Sequence, residues 1–126
     1  RFRRIALADP KLAPYGAAAL QVLQKLGLAG ALAPKFVQGE SIAQAHQFVA
    51  TGNAELGFVA MAQVFADGEL KEGSAWVVPA DLHAPIRQDA LLLARGRDNP
   101  AARALMSYLR SAKARAIIRA FGHEPA

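Results

Sequence analysis

The sequence contains no cysteine, and only three of its 126 residues are histidine. The absence of thiols excludes disulfide bonds, thiol catalysis and metal sites with cysteine ligands. The histidines, His46, His83 and His123, are too far apart for the His-x-x-x-His spacing of a metal site on one helix. We therefore predict no metal held by direct side-chain coordination and no bound cofactor.

Aromatic residues are also scarce, at 7% of the chain, although the net charge is +5. A basic domain can bind nucleic acid through its phosphates. Here the positive charge is scattered, with gatherings at residues 1–4 and 103–119, and the aromatic residues are not interleaved with it. Such a pattern is typical of solvated helix faces that also attract small anions. We predict no nucleic-acid partner.

Long apolar runs are missing too, because no stretch approaches the ~20 residues that a membrane-spanning helix needs. We therefore predict no membrane insertion. The chain also lacks a Gly-x-Gly-x-x-Gly turn and a P-loop, and Ser74 does not stand in the Gly-x-Ser-x-Gly frame of serine hydrolases. No set of residues for acid–base or nucleophilic chemistry is recognisable, so we predict that the protein is not an enzyme.

What is present is an alternation of buried-strand and helix patterns in a chain that is 53% hydrophobic. This alternation predicts an α/β fold with a largely parallel sheet. Trp76 lies in one of the apolar strand patterns and is predicted to be in the core. Apolar runs predict strands at residues 5–8, 35–38, 56–60, 75–78 and 90–94, and periodic patterns predict helices at residues 14–26, 41–50, 62–65 and 100–121, the last divided at Ser111.

Two of the predicted helices begin directly after strands. The first begins at Pro14, and proline suits a first helical turn because its missing N–H would have no partner there. The second begins near Ser41, which has capping-box spacing to Gln44. The free N–H groups of a helix start attract anions, and starts beside adjacent parallel strands converge on one crevice. No lysine or arginine lies between Leu12 and Gln24, so neutral donors would hold the anion.

The run from Ala8 to Ala18, Ala-Asp-Pro-Lys-Leu-Ala-Pro-Tyr-Gly-Ala-Ala, resembles the molybdate-binding periplasmic proteins of bacterial ABC importers. The resemblance continues in the family's order through residues 34–42, 49–59, 78–81 and 85–90, and through residues 108–111, 116–118 and 121–122 of the tail. It implies a type II periplasmic-binding-protein-like fold, in which two α/β lobes joined by crossing strands close on the ligand. Because the chain resembles only the C-terminal part of such a protein, we expect an incomplete two-lobe architecture.

The resemblance also implies a division of the chain. Residues 1–85 correspond to most of the second ligand-binding lobe, residues 86–96 to a crossing or hinge strand, and residues 97–126 to return helices that pack on the first lobe. Without that lobe, the apolar stripe on these helices has no cover. We therefore expect a homodimer through residues 86–121, in which two copies cover each other's stripe: Leu105, Leu109, Ala114, Ile117, Ile118 and Phe121.

The candidate site residues come from the same resemblance. The backbone N–H groups of Tyr15 and Ile42 match the family's oxyanion donors, and Ser41 is then a helix cap rather than a ligand. Ala60 stands where some members carry a tyrosine whose hydroxyl reaches the oxyanion, and Tyr15 is expected to compensate for its absence.

The implied function is extracytoplasmic binding of molybdate or tungstate, in the periplasm, for delivery to a membrane ABC permease. Two alternatives stay open at this point: the effector-sensing domain of a transcription regulator, and an enzyme on a similar two-lobe fold. A regulator would need an attached DNA-binding segment, and an enzyme would need the catalytic residues that the sequence does not show.

Overall fold

The computed structural model describes residues 1–125 and centres on a parallel sheet of three strands. Strands β1 (Ile5–Ala8), β2 (Phe36–Gly39) and β3 (Leu56–Gly57) lie in the order β2-β1-β3. All four residues of β1 are buried, which explains its unbroken apolar run, because a central parallel strand is covered on both faces. The predicted α/β fold with a parallel sheet is confirmed.

Helices cover this sheet, and the longer ones agree with the sequence patterns to within a residue or two. Small and branched side chains of α1 and α3 contact β1, and Ala19, Val22 and Ala45 are buried there. Within residues 1–125 no single helix is long and apolar enough to cross a membrane. The segments Pro14–Lys25 and Ala29–Lys35 have the required length and composition only when they are taken together, and a bend of 119° separates them. The helices are α1 (Pro14–Lys25), α2 (Ala29–Leu32), α3 (Ile42–Ala50), α4 (Met61–Val64), α5 (Pro100–Tyr108) and α6 (Ala112–Ala120), with 3-10 turns at Ala33–Lys35, Ala80–Leu82 and Ala94–Gly96.

Helix α1 ends in a Schellman motif. Gly27 has a φ of +69°, a left-handed conformation that suits glycine. Its N–H donates to the carbonyl of Gln24 over 3.0 Å, and the N–H of Leu28 donates to the carbonyl of Leu23 over 2.8 Å. The helix predicted over residues 14–26 therefore ends within one residue of its observed end. Leu26 is 45% exposed because it lies in the cap beyond the last helical turn.

Two predicted strands are wrong. Residues 75–78 and 90–94 form no strand within the part of the chain that the structure describes. Trp76, predicted to be in the core, is 62% exposed, and Leu91 is 81% exposed. A strand needs a neighbouring strand to take up its backbone hydrogen bonds, and neither segment has one within residues 1–125. The predicted crossing strand at residues 86–96 is therefore an irregular connection here, and the three-part division of the chain stays a prediction.

The sequence patterns miss a small hairpin between residues 65 and 70. Strands β4 (Phe65–Ala66) and β5 (Glu69–Leu70) pair antiparallel, and Asp67 and Gly68 join them with φ values of +52° and +82°. Two consecutive positive φ values are typical of the type I′ turn, which favours Asp-Gly.

The C-terminal helices α5 and α6 meet at Ser111, as predicted. The Oγ of Ser111 accepts the N–H of Ala114 over 3.2 Å and caps α6. Ala114 is buried, whereas Leu105 and Ile117 are 57% and 48% exposed. The apolar stripe of these helices is thus mostly uncovered in this chain.

Candidate functional site

The two helix starts singled out from the sequence face one cavity at the carboxyl edge of the sheet. Strand β1 leads into α1, and the neighbouring parallel strand β2 leads into α3, so both helices begin at the same edge. Tyr15 and Ile42 both line this cavity, which has a volume of about 770 Å³. The structure therefore brings together the two residues that the resemblance associates with oxyanion binding.

The start of α1 presents a free backbone donor. The carbonyl of Ala13 accepts the N–H of Gly16 over 3.0 Å and the N–H of Ala17 over 3.1 Å. Pro14 has no N–H, and no acceptor in residues 1–125 is hydrogen-bonded to the N–H of Tyr15. Because no side chain caps this helix, the Tyr15 N–H is available to a ligand.

A close contact holds this helix start against the end of β1. Gly16 is buried, and a Cβ on it would lie 2.1 Å from the carbonyl oxygen of Ala8 and 2.7 Å from its carbonyl carbon. No side chain fits there without moving backbone. The preceding turn is shaped by Asp9, whose Oδ1 accepts the N–H of Lys11 over 2.8 Å, as its place before a proline predicts. Glycine at position 16 thus lets the Tyr15 N–H sit at the sheet edge.

The start of α3 presents the second free donor. The Oγ of Ser41 accepts the N–H of Gln44 over 3.3 Å, and the Oε1 of Gln44 accepts the N–H of Glu40 over 2.7 Å. The predicted cap at Ser41 is confirmed, although Gln44 reaches one residue further back than a capping box requires. In the described chain no acceptor is hydrogen-bonded to the N–H of Ile42, which is the first residue of the helix.

Gln63 joins the segment after β3 to the start of α3, a link that sequence reasoning missed. Its Nε2 donates to the carbonyl of Ile42 over 3.2 Å, and its Oε1 accepts the N–H of Ala60 over 2.9 Å. A glutamine three residues after a helix N-cap commonly reaches back in this way. The spacing between Ala60 and Gln63 in the sequence is therefore a signal that could have predicted this contact. Ala60 lines the cavity and offers it only a methyl group.

The cavity carries little charge. Of its lining residues within 1–125, none is lysine or arginine, and Glu124 is the single carboxylate. Across the described chain, no group of three or more histidine, aspartate or glutamate side chains is placed to hold a metal ion. The polar lining groups include the Tyr15 hydroxyl and the imidazoles of His83 and His123, so an anion at this edge would meet backbone dipoles and these side chains rather than a lysine or arginine.

Among the described residues, Glu55 has a strongly lowered pKa. It lies in a separate, smaller cavity beside Arg3 and Arg4. Its Oε2 accepts the N–H of Arg4 over 2.9 Å, and its Oε1 accepts the Nε–H of Arg3 over 3.1 Å. These hydrogen bonds, that of Arg4 foremost, lower the pKa of Glu55 to about 2. The carboxylate ties the entrance of β1 to β3, which is a structural role.

Comparison with known proteins gives consistent matches over nearly the whole chain. A family profile described as "Bacterial extracellular solute-binding protein" matches residues 1–124. The molybdate-binding protein ModA of Azotobacter vinelandii is 62% identical over 122 residues, which are 97% of this chain and 48% of that protein. The ModA of Rhodobacter capsulatus is 52% identical over 119 residues, which are 94% of this chain and 46% of that protein.

Solved structures agree with these matches. The periplasmic molybdate-binding protein of Azotobacter vinelandii superimposes with a TM-score of 0.91 at 39% identity, over 99% of this chain and 55% of that one. A substrate-binding domain from Clostridium difficile gives a TM-score of 0.71 at 25% identity, over 99% of this chain and 54% of that one. The chain thus spans about half the length of the relatives that it matches.

Proposed function

Because this chain belongs to the family of bacterial extracellular solute-binding proteins, we propose that it forms part of a periplasmic receptor that binds molybdate or tungstate and delivers it to a membrane ABC permease. The observation that carries the proposal is the pair of free helix N–H groups, at Tyr15 and Ile42, beside one cavity without lysine or arginine. The names of the Azotobacter and Rhodobacter relatives point to molybdate as the anion. These relatives are binding proteins, which favours transport over the regulator and enzyme alternatives.

Binding rests on donors that point at the anion before it arrives, strengthened by the partial positive charge of two helix starts. A hydrogen bond to a charged group contributes roughly 1.5–3 kcal/mol, so the N–H groups of Tyr15 and Ile42 together supply about 3–6 kcal/mol. A dissociation constant of 1 mM already corresponds to about 4 kcal/mol. Two donors alone therefore bind an anion weakly, and the remaining donors belong to the first lobe that the resemblance implies.

Selectivity against sulfate needs a further property, because sulfate has the same charge and the same four acceptor oxygens as molybdate. The number of hydrogen bonds does not separate the two anions. The size of the closed site separates them, because donors placed for the larger molybdate lie too far from the oxygens of the smaller sulfate. We therefore expect selectivity only when both lobes close on the ligand.

Replacing Ile42 by proline removes one donor with little damage to the fold. Ile42 is the first residue of α3, a position that proline favours, and Ser41 before it is extended, with φ −141° and ψ 165°, as a residue before proline prefers. Ile42→Val keeps the N–H and is the matched control. The hybrid for this test replaces the matched segment of the Azotobacter ModA that is 62% identical with this chain. In that hybrid we expect Ile42→Pro to weaken molybdate binding roughly 10- to 150-fold, measured by calorimetry.

Two outcomes of this experiment would contradict the proposal. One is equal molybdate affinity in Ile42→Pro and Ile42→Val, which would show that the N–H of Ile42 does not contact the anion. The other is tight, sulfate-excluding binding by the 126-residue chain alone, which would show that this chain does not carry half of a shared site.

We further propose that the isolated chain pairs with a second copy through residues 86–121. The exposed apolar side chains support this, because Leu93 and Leu105 are 66% and 57% exposed and Phe121 is 41% exposed. Each such side chain gains roughly 1.5–3 kcal/mol when it is fully buried. The same stretch of sequence carries Arg103, Arg110, Lys113, Arg115 and Arg119, whose repulsion a second copy has to overcome.

Light scattering at micromolar concentration tests the dimer. Because added salt screens the repulsion between basic residues, we expect more dimer at high ionic strength than at low. Ile117→Asn, on the stripe, should shift the chain to monomer, whereas Leu12→Asn, an exposed residue outside the stripe, should not. A folded monomer at every concentration and salt level would refute the pairing.

A further inference from the structure

Residues 80–88 form a strap that runs along α1 from its end to its start. The strap lies antiparallel to the helix and delivers Ile86 to the wall of the candidate cavity. Side chains of α1 hold it at three points: Lys25 Nζ donates to the carbonyl of Asp81 over 2.5 Å, Gln21 Oε1 accepts the N–H of Ala84 over 2.8 Å, and Tyr15 Oη accepts a hydrogen bond from Gln88 Nε2 over 2.9 Å.

The last of these contacts involves Tyr15, which lines the cavity and whose N–H has no acceptor within residues 1–125. A tyrosine hydroxyl has one proton to donate and lone pairs with which to accept. Because Gln88 occupies a lone pair of Tyr15, the hydroxyl proton is left to donate elsewhere. In residues 1–125 no acceptor receives it, and Tyr15 lines the cavity. The hydrogen bond from Gln88 also polarises the hydroxyl and makes it a better donor.

We propose that Gln88 is a positioning residue for the anion site, an inference that rests on the proposed function. By donating to Tyr15 Oη, Gln88 turns the hydroxyl proton towards the cavity, so that Tyr15 donates to the anion through both its N–H and its O–H. This second donor takes the place of the hydroxyl that Ala60 does not supply. The strap is what brings Gln88 to Tyr15, since the two residues are 73 positions apart in the sequence.

The test is a double-mutant cycle between Gln88→Met and Tyr15→Phe in the 126-residue chain. Molybdate is titrated at constant ionic strength while the amide signal of Ile42 is followed by NMR, which measures millimolar affinities. Loss of the hydroxyl's hydrogen bond to the anion should weaken binding roughly 10-fold or more in Tyr15→Phe, and Gln88→Met, which leaves the hydroxyl in place, should weaken it by a smaller factor. The double variant should bind no more weakly than Tyr15→Phe, because Gln88 acts only through the hydroxyl. Gln24→Met, an exposed residue of α1 outside the cavity and the strap contacts, should leave the affinity unchanged.

The outcomes separate this inference from the function on which it rests. If molybdate neither moves the wild-type amide signals nor binds to the hybrid in which this chain replaces the matched segment of the Azotobacter ModA, the proposed function fails; if only the hybrid binds, the same cycle is measured there by calorimetry. If the wild type responds and Gln88→Met binds equally or more tightly, the positioning role alone is overturned, because Tyr15 would then be donating its proton to Gln88. Equal weakening by Gln88→Met with and without the Tyr15 hydroxyl would also overturn it, since that loss would be structural.

Discussion

Replacing Gly16 by alanine tests whether the first turn of α1 needs its close contact with the end of β1. The added methyl would lie 2.1 Å from the carbonyl oxygen of Ala8 and 2.8 Å from the carbonyl carbon of Asp9, where ordinary contacts begin at 3.4 Å. These neighbours are backbone atoms, so no side-chain rotation relieves the clash. The helix start would have to move by about 1.3 Å, the difference between the oxygen distance and an ordinary contact.

The expected cost follows from two opposing effects. Overpacking a close contact costs typically 1–3 kcal/mol, and a backbone clash belongs at the upper end. Alanine regains up to about 1 kcal/mol over glycine in a helix. We therefore expect Gly16→Ala to lower the free energy of unfolding by about 2 kcal/mol, and to lower the melting temperature by roughly 6–10 °C for a chain of this size.

Gly30→Ala is the matched control for this prediction. Gly30 is also helical, but a Cβ there meets nothing within 4 Å, so the same substitution should stabilise the chain by about 0.4–1 kcal/mol. Thermal unfolding followed by circular dichroism measures both variants. If Gly16→Ala is as stable as the wild type, or if both variants shift in the same direction, the contact with Ala8 does not constrain the helix start.

Two further predictions concern local interactions. Glu55→Gln should destabilise the chain at neutral pH, and the difference from wild type should shrink as the pH falls from about 4.5 towards about 2, because the lowered pKa of Glu55 contributes stability only while the carboxyl is ionised. Urea midpoints across that range check this, with Glu72→Gln as control, and a difference that does not depend on pH would contradict it. Ser41→Ala should cost about 1 kcal/mol through loss of the α3 cap, and urea unfolding with unchanged stability would refute that role.

Several local elements and the family resemblance follow from the sequence alone. The apolar run of β1, the proline at the start of α1 and the caps at Ser41 and Ser111 all lie where the pattern predicts. These features depend on residues within about one turn of each other, so the sequence carries the whole signal. The meeting of Tyr15 and Ile42 at one cavity also follows from the sequence, because parallel topology places helix starts at one edge, whereas their role as donors stays a prediction.

Other features depend on which distant segments meet, and only the tertiary structure decided them. The apolar runs at residues 75–78 and 90–94 are not strands, because pairing requires a neighbour that no single run specifies. The sequence shows a glycine at position 16, but only the structure shows that the approach of the Ala8 carbonyl leaves no room for a side chain there. Gln88 reaches Tyr15 only through the path of the strap. Local hydrogen bonds depend on residues that are close in the sequence, so the sequence alone predicts them. Contacts between remote residues form only when packing of the core fixes the path of the backbone.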